Sequence, residues 1–193
     1  MASQTVLSLT ADTTPATTDL AYEVKNPAGT PLDRKVTWSA VLALRGVQQI
    51  KNVQSGAVAT GTTTVPLDDT IPQNTEGTEF MTLAITPTSA TNKLKIDVVF
   101  LGTFSVTAWL IVALFQDTTA GALAVGANFQ QTGTDANNVV FTHYMTAGTT
   151  SATTFKVRAG GQTAGTVTFN GQSTARLFGG VNASSITITE LVP

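Results

Sequence analysis

The 193-residue sequence contains no cysteine and a single histidine, His143. Disulfides, thiolate metal sites and a thiol nucleophile are therefore excluded, and so is every zinc motif that needs paired histidines. Charge is scarce as well: 11% of residues are charged and the net charge is −2. A nucleic-acid binder needs a basic face to neutralise phosphates, and this composition does not supply one. The start, Met1-Ala2-Ser3-Gln4, has no basic run followed by a long apolar stretch, so no secretory signal is expected. A disordered chain would show high charge and low hydrophobicity; here 42% of residues are hydrophobic.

In abundance are threonine, with 37 residues, and glycine, with 16. Threonine and valine are stiff at χ1 and favour extended backbone, while Gly, Asn and Pro punctuate the apolar runs as turn formers. This is the composition of an all-β protein. The uncharged run Val98–Phe115 is long enough to span a bilayer. Its β-branched and aromatic residues, interrupted by Gly102-Thr103 and Ser105, read instead as two adjacent buried strands, and no membrane insertion is expected.

Two regions differ in pattern. Residues 1–46 read as a small arm. Leu20–Lys25 alternates as a strand, Asn26–Pro31 is a turn, and Thr37–Gly46 has Trp38, Val41, Leu42 and Arg45 at helical spacing. This hairpin plus helix is too small to bury a core and must dock on something. Residues 47–193 repeat strand, turn, strand. Strands are expected over 47–59, 62–67, 79–86, 93–101, 106–116, 138–145, 153–158, 166–169 and 185–191. In 79–86, Phe80, Thr82 and Ala84 fall opposite Met81, Leu83 and Ile85. In 93–101, Leu94, Ile96 and Val98 share one face, with Lys93, Lys95 and Asp97 on the other. Such spacing points to a sandwich or jelly roll, and no fixed-period repeat favours a solenoid.

The strand at 106–116 is apolar on both faces. Trp109, Ile111 and Phe115 lie on one, Leu110, Val112 and Leu114 on the other. One face is the sandwich core. The second is either further core or, since a small sandwich has one interior, a surface that meets other subunits.

Little else points to chemistry. His143 lies within a strand, with no Gly-x-Ser-x-Gly elbow to provide a serine for it. Asp68-Asp69 could hold calcium but lacks loop-motif spacing and reads as a polar turn. Asp68, Asp97, Asp117, Asp135 and Glu190 offer carboxylates without a paired arrangement. Gly160–Gly165 resembles a phosphate loop, but a strand follows it rather than a helix. Asn182-Ala183-Ser184 matches a glycosylation sequon, which has no meaning without a secretory route. No catalytic residue, metal or cofactor is expected.

Three features carry a family resemblance: Ile85–Ile96 (ITPTSATNKLKI), Trp109–Asp117 (WLIVALFQD) and Phe178–Glu190 (FGGVNASSITITE). Taken in order, they resemble a domain of tailed-bacteriophage fibre proteins. Residues 12–44 resemble a linker module found upstream in such proteins. The resemblance implies a non-enzymatic virion protein, assembled in the bacterial host cytoplasm, with a C-terminal jelly roll that forms homotrimers. Trp109, Ile111 and Phe115 become candidates for the subunit interface, and Tyr22, Trp38 and Leu42 in the arm for virion attachment. Partners would be other tail or capsid proteins and a host surface glycan or protein, bound by the polar turns 117–138 and 160–176. Heptads and β-helix repeats are lacking. That fits a short tail fibre or receptor-binding appendage, with a capsid decoration protein as the alternative.

Overall fold

The computed structural model describes the backbone of 20–25 and 32–37 and the whole of residues 46–193. The chain divides into two compact units, Met1–Gly46 and Val47–Pro193. In the first, β1 (Leu20–Lys25) and β2 (Leu32–Thr37) form an antiparallel hairpin, with Leu20 opposite Thr37. The expected helix, with Trp38 and Leu42, lies outside the described residues. Tyr22 sits on β1 opposite Lys35.

The second unit is a jelly roll. Its eight principal strands are β3 (Val47–Ser55), β5 (Thr78–Ile85), β6 (Lys93–Phe104), β7 (Trp109–Gln116), β8 (Ala124–Phe129), β9 (Asn137–Thr146), β10 (Thr153–Gly161) and β14 (Ser184–Leu191). One sheet runs β5-β10-β7-β8. The other runs β3-β14-β6 and is completed by β9 on the free side of β6. Every pairing is antiparallel. Numbered by rank along the chain, the sheets read 1-8-3-6 and 2-7-4-5, the strand order of two interlocked Greek keys. Four short strands extend this frame: β4 (Ala59–Gly61), β11 (Val167–Phe169), β12 (Gly171–Gln172) and β13 (Ala175–Arg176). β11 bridges β4 and the far end of β6.

Alternation decides which side chains enter the core. Leu94, Ile96, Val98 and Phe100 of β6 and Ile186 and Ile188 of β14 face Leu110, Val112 and Leu114 of β7 and Phe155 and Val157 of β10. The apolar run from residue 98 to 115 is two strands, β6 and β7, joined by the turn 105–108 that carries the chain from one sheet to the other. Among the described residues no helix is long and apolar enough to cross a membrane.

Four local expectations differ from what is seen. A bulge between Val157 and Arg158 shifts the β5 register, so that Val157 faces Met81 and Arg158 faces Glu79. Phe80 thereby turns inward and packs against Phe100 and Phe169, with ring centroids 5.6 and 5.2 Å away. Residues 62–67 are not a strand, and the short strand β4 ends just before them. The turn leaving β6 comes at 105–108 and not at Gly102, which stays in the strand opposite Phe169. Finally, β8 occupies part of a stretch read as turn. Its centre is Gly126, where a Cβ would lie 2.7 Å from both Val139 and Phe141 of the facing sheet.

The sandwich has two unlike ends. Val47, Lys93, Thr146, Gln116, Thr153 and Leu191 lie at one, called here the tether end because the chain enters there at Val47, beside Leu191. Its connections are the short turns 86–92, 117–123 and 147–152. Ser55, Phe104, Trp109, Phe129, Gly161 and Ser184 lie at the other, the loop end. There the connections are 56–77, 105–108, 130–136 and 162–183, which include β4 and β11–β13.

Candidate functional site

The outer face of β7 is covered by its own chain. Ile111 is 2% exposed and Phe115 1%. Segment 62–77 crosses this face as a strap. The Val65 N–H donates to Gly161 O, Asn74 N–H to Ala120 O and Ala122 N–H to Pro72 O. The Arg158 guanidinium donates to the carbonyls of Glu76 (2.9 Å) and Gly77 (2.7 Å). Val65, itself buried, lies over Gly160, the residue paired with Ile111. Ile111 and Phe115, expected at a subunit interface, are therefore covered without a neighbouring subunit: the strap has taken their area. Trp109 alone stays partly exposed. Its indole meets the Phe129 ring edge-on at 5.6 Å, and Phe129 is 45% exposed. Elsewhere, Ile50, Val140 and Tyr144 stand exposed on the outer side of the second sheet.

Trp109 and Phe129 belong to the loop end, where the connections are held firmly. In 130–136, Asp135 closes the loop by accepting from Thr132 N–H and Thr132 Oγ1, each at 2.8 Å. These bonds hold the Asp135 carboxyl below its usual value. A Cβ at Gly133 would lie 2.4 Å from Ser105 O, so the loop rests on the 105–108 turn. The Gln172 side chain donates to Thr134 O and ties in the β12–β13 hairpin. Phe129, Gln131, Thr134, Asp135, Ala136 and Asn137 line an open cleft of about 540 Å³.

Beside it, the insert 162–183 hangs on Asn170. This fully buried residue has φ +53° and donates to Ser55 O (2.6 Å) and Ala57 O (3.0 Å). Its Oδ1 accepts from Ser184 N–H (3.0 Å) and Ser184 Oγ (2.7 Å). Ser173, Thr174 and Phe178 also have positive φ, an uncommon concentration for residues other than glycine. Phe178, at φ +47°, is 73% exposed.

The tether end is fastened by Glu190, which in the sequence is one of several scattered carboxylates. It is wholly buried. It accepts from Thr88 N–H (2.8 Å), Thr88 Oγ1 (2.7 Å), Asn92 Nδ2 (2.6 Å) and Gln49 Nε2 (2.6 Å). Burial pushes the carboxyl up, but hydrogen bonds from Gln49, Thr88 and Asn92 outweigh that and leave it below its ordinary value. The Thr88-Ser89 turn and the final Glu of the resemblance thus meet at one place. The signal available was a glutamate at an inward-facing strand position, opposite Leu94.

The remaining carboxylates are committed locally. Asp68 accepts from Thr70 N–H and Oγ1. Asp117 accepts from Thr153 Oγ1 and Thr154 N–H. Asp97 meets Lys95 Nζ at 2.7 Å and Thr142 Oγ1 at 2.6 Å. His143 lies on β9 opposite Ile96, and burial lowers its pKa. Gly160–Gly165 is the end of β10 and its following turn. Among the described residues no three of His, Cys, Asp and Glu are grouped as metal ligands.

No protein-family model matches the chain, and no curated protein does. Solved structures give weak likenesses. The Eiger TNF structure from S. frugiperda is 10% identical, with a TM-score of 0.44, covering 75% of this chain and 94% of that one. The VP2 subviral particle of infectious bursal disease virus is 10% identical with a TM-score of 0.32, and the structure of the Gx strain of that virus 11% with 0.33. Each covers 91% of this chain, which in turn spans 43% of the viral chain. The jelly-roll assignment rests on the strand order described above.

Proposed function

We propose that this chain is a non-enzymatic structural protein of a tailed-phage virion: a short homotrimeric tail fibre or receptor-binding appendage that touches the host surface. The observation that carries the reading is the polarity of the sandwich. The chain enters at Val47 beside Leu191, at the end with short turns. The two long connections, 56–77 and 162–183, both leave and re-enter the sandwich at the opposite end. A tethered module that recognises something beyond its own particle needs this division, because recognition loops must face away from the tether. The meeting of Thr88 and Glu190 supports the resemblance to fibre domains, since two residues shared with that pattern join in one structural fastening.

In this reading the arm, with Tyr22, Trp38 and Leu42, attaches to the virion. Three copies associate through an exposed sheet face, for which Ile50, Val140 and Tyr144 are the apolar candidates. Light scattering on the purified chain should give three times the monomer mass.

The deciding experiment is copy number per particle, by quantitative mass spectrometry against the major capsid protein. A few trimers per virion are expected. A copy number near that of the capsid protein would replace the appendage with the decoration role. Absence from purified particles would overturn both.

A further inference from the structure

We propose that the cleft between Phe129 and Asn137 at the loop end binds a neutral saccharide. The inference rests on the appendage reading and names the ligand class and the site. Four observations converge on it. First, the cleft is an open, shallow space of about 540 Å³, enough to seat a sugar ring at the surface. Second, an aromatic side chain borders this chiefly polar cleft: Phe129 is half-exposed and braced edge-on by Trp109. A sugar's C–H face packs on such a ring, which a phosphate or a free carboxylate cannot do.

Third, the polar groups suit vicinal hydroxyls. The side-chain amides of Gln131 and Asn137 have no protein partner among the described residues, so donors and acceptors are available. Asp135 presents a carboxylate already fixed by Thr132, with acceptor capacity to spare. Fourth, no lysine or arginine lines the cleft. An anionic sugar would meet the Asp135 charge with no cation to offset it, so the site selects uncharged rings. The loop is also held on both sides, by the Gly133–Ser105 contact and the Gln172–Thr134 tie. A preorganised cleft loses less on binding than loops that must order.

The test uses the full chain and its own tryptophans. Trp38→Phe leaves Trp109 as the only indole, so its emission reports on the cleft. The probes are methyl glycosides of glucose, galactose, mannose, rhamnose and N-acetylglucosamine, with glucuronate and sialic acid as anionic controls. At least one neutral glycoside should shift Trp109 emission saturably and protect it from quenching. Phe129→Ala and Asn137→Ala should each weaken that binding about tenfold or more. Phe178→Ala, outside the cleft, should leave it unchanged, and matching thermal melts would show each variant folded. The proposal is overturned if no neutral glycoside binds, if only the anionic sugars do, or if Phe129→Ala and Asn137→Ala bind normally. Failure here with the chain present at a few trimers per virion would sink the cleft alone. Binding by a chain absent from virions would sink the appendage reading and leave the cleft standing.

Discussion

Removing the carboxylate of Glu190 would leave the buried Asn92 amide without its acceptor and would take from the exposed Thr88 the partner of its amide and hydroxyl. Glu190→Ala should therefore cost about 2 to 4 kcal/mol of unfolding stability. Glu190→Gln keeps the shape and one acceptor oxygen, and should cost about 1 to 2 kcal/mol at neutral pH. The pH dependence separates charge from packing. The folded carboxyl sits below its ordinary value of 4.5, so its contribution is complete above that value. It is lost as pH falls through the lowered folded value. The stability gap between wild type and Glu190→Gln should accordingly shrink between about pH 7 and about pH 3. Urea midpoints along that range measure it, and a constant gap would show that the charge contributes nothing. Asn170 poses the same question for backbone. Asn170→Ala and Asn170→Gly both lose the bonds to Ser55, Ala57 and Ser184. Alanine must also hold φ +53°, so it should be the less stable of the two by about 1 kcal/mol.

At the scale of elements, the strap can be disturbed by a single added atom. A Cβ at Gly160 would stand 2.4 Å from Thr63 O and 3.0 Å from Val65 N. Gly160→Ala should lift 62–65 off β10 and cost about 1 to 3 kcal/mol. Hydrogen exchange of the Val65 amide, now bonded to Gly161 O, should quicken while the β6 and β14 amides keep their protection. Unchanged exchange at Val65 would mean that the strap does not depend on this close approach. The strap also shows where sequence stops being legible. Alternation in 93–101 and 185–191 fixes which side chains enter the core, and those strands stand where the pattern puts them. A face covered by irregular chain has no period of its own. Trp109, Ile111 and Phe115 announce an apolar face but do not say what covers it. β8 is hidden for a related reason: the small residues that let the sheets approach at Gly126 read as turn residues. The register shift at Phe80 depends on its partner strand β10, and Glu190 on a turn about a hundred residues earlier. Alternation marks Glu190 as inward-facing, but the partners in pairings of that range leave no local trace. The candidate cleft is legible only as a polar, turn-rich stretch, because the form of the single loop that lines it depends on distant contacts with Ser105 and Gln172.

For the whole molecule, the proposed appendage role places attachment and recognition at opposite ends, so the two should be independently breakable. Unit 47–193 has its own core, from Leu94 and Ile96 through Leu110 and Phe155 to Ile188. A chain lacking residues 1–46 should fold with a melting temperature close to that of the full chain, yet be missing from purified particles. The complementary change belongs at the other end. A short Gly-Ser insertion between Ser173 and Thr174 falls in the β12–β13 turn, remote from Val47 and from the core. It should leave copy number per virion unchanged and lower host adsorption. Two measurements on the same particles, mass-spectrometric copy number and adsorption rate, then form a cross. The truncation should reduce copy number, and the insertion should reduce adsorption alone. If the insertion also removes the protein from particles, the loop end faces the virion. The polarity argument would then run the other way, with the elaborated end clamping capsid or tail partners and the compact end facing outward.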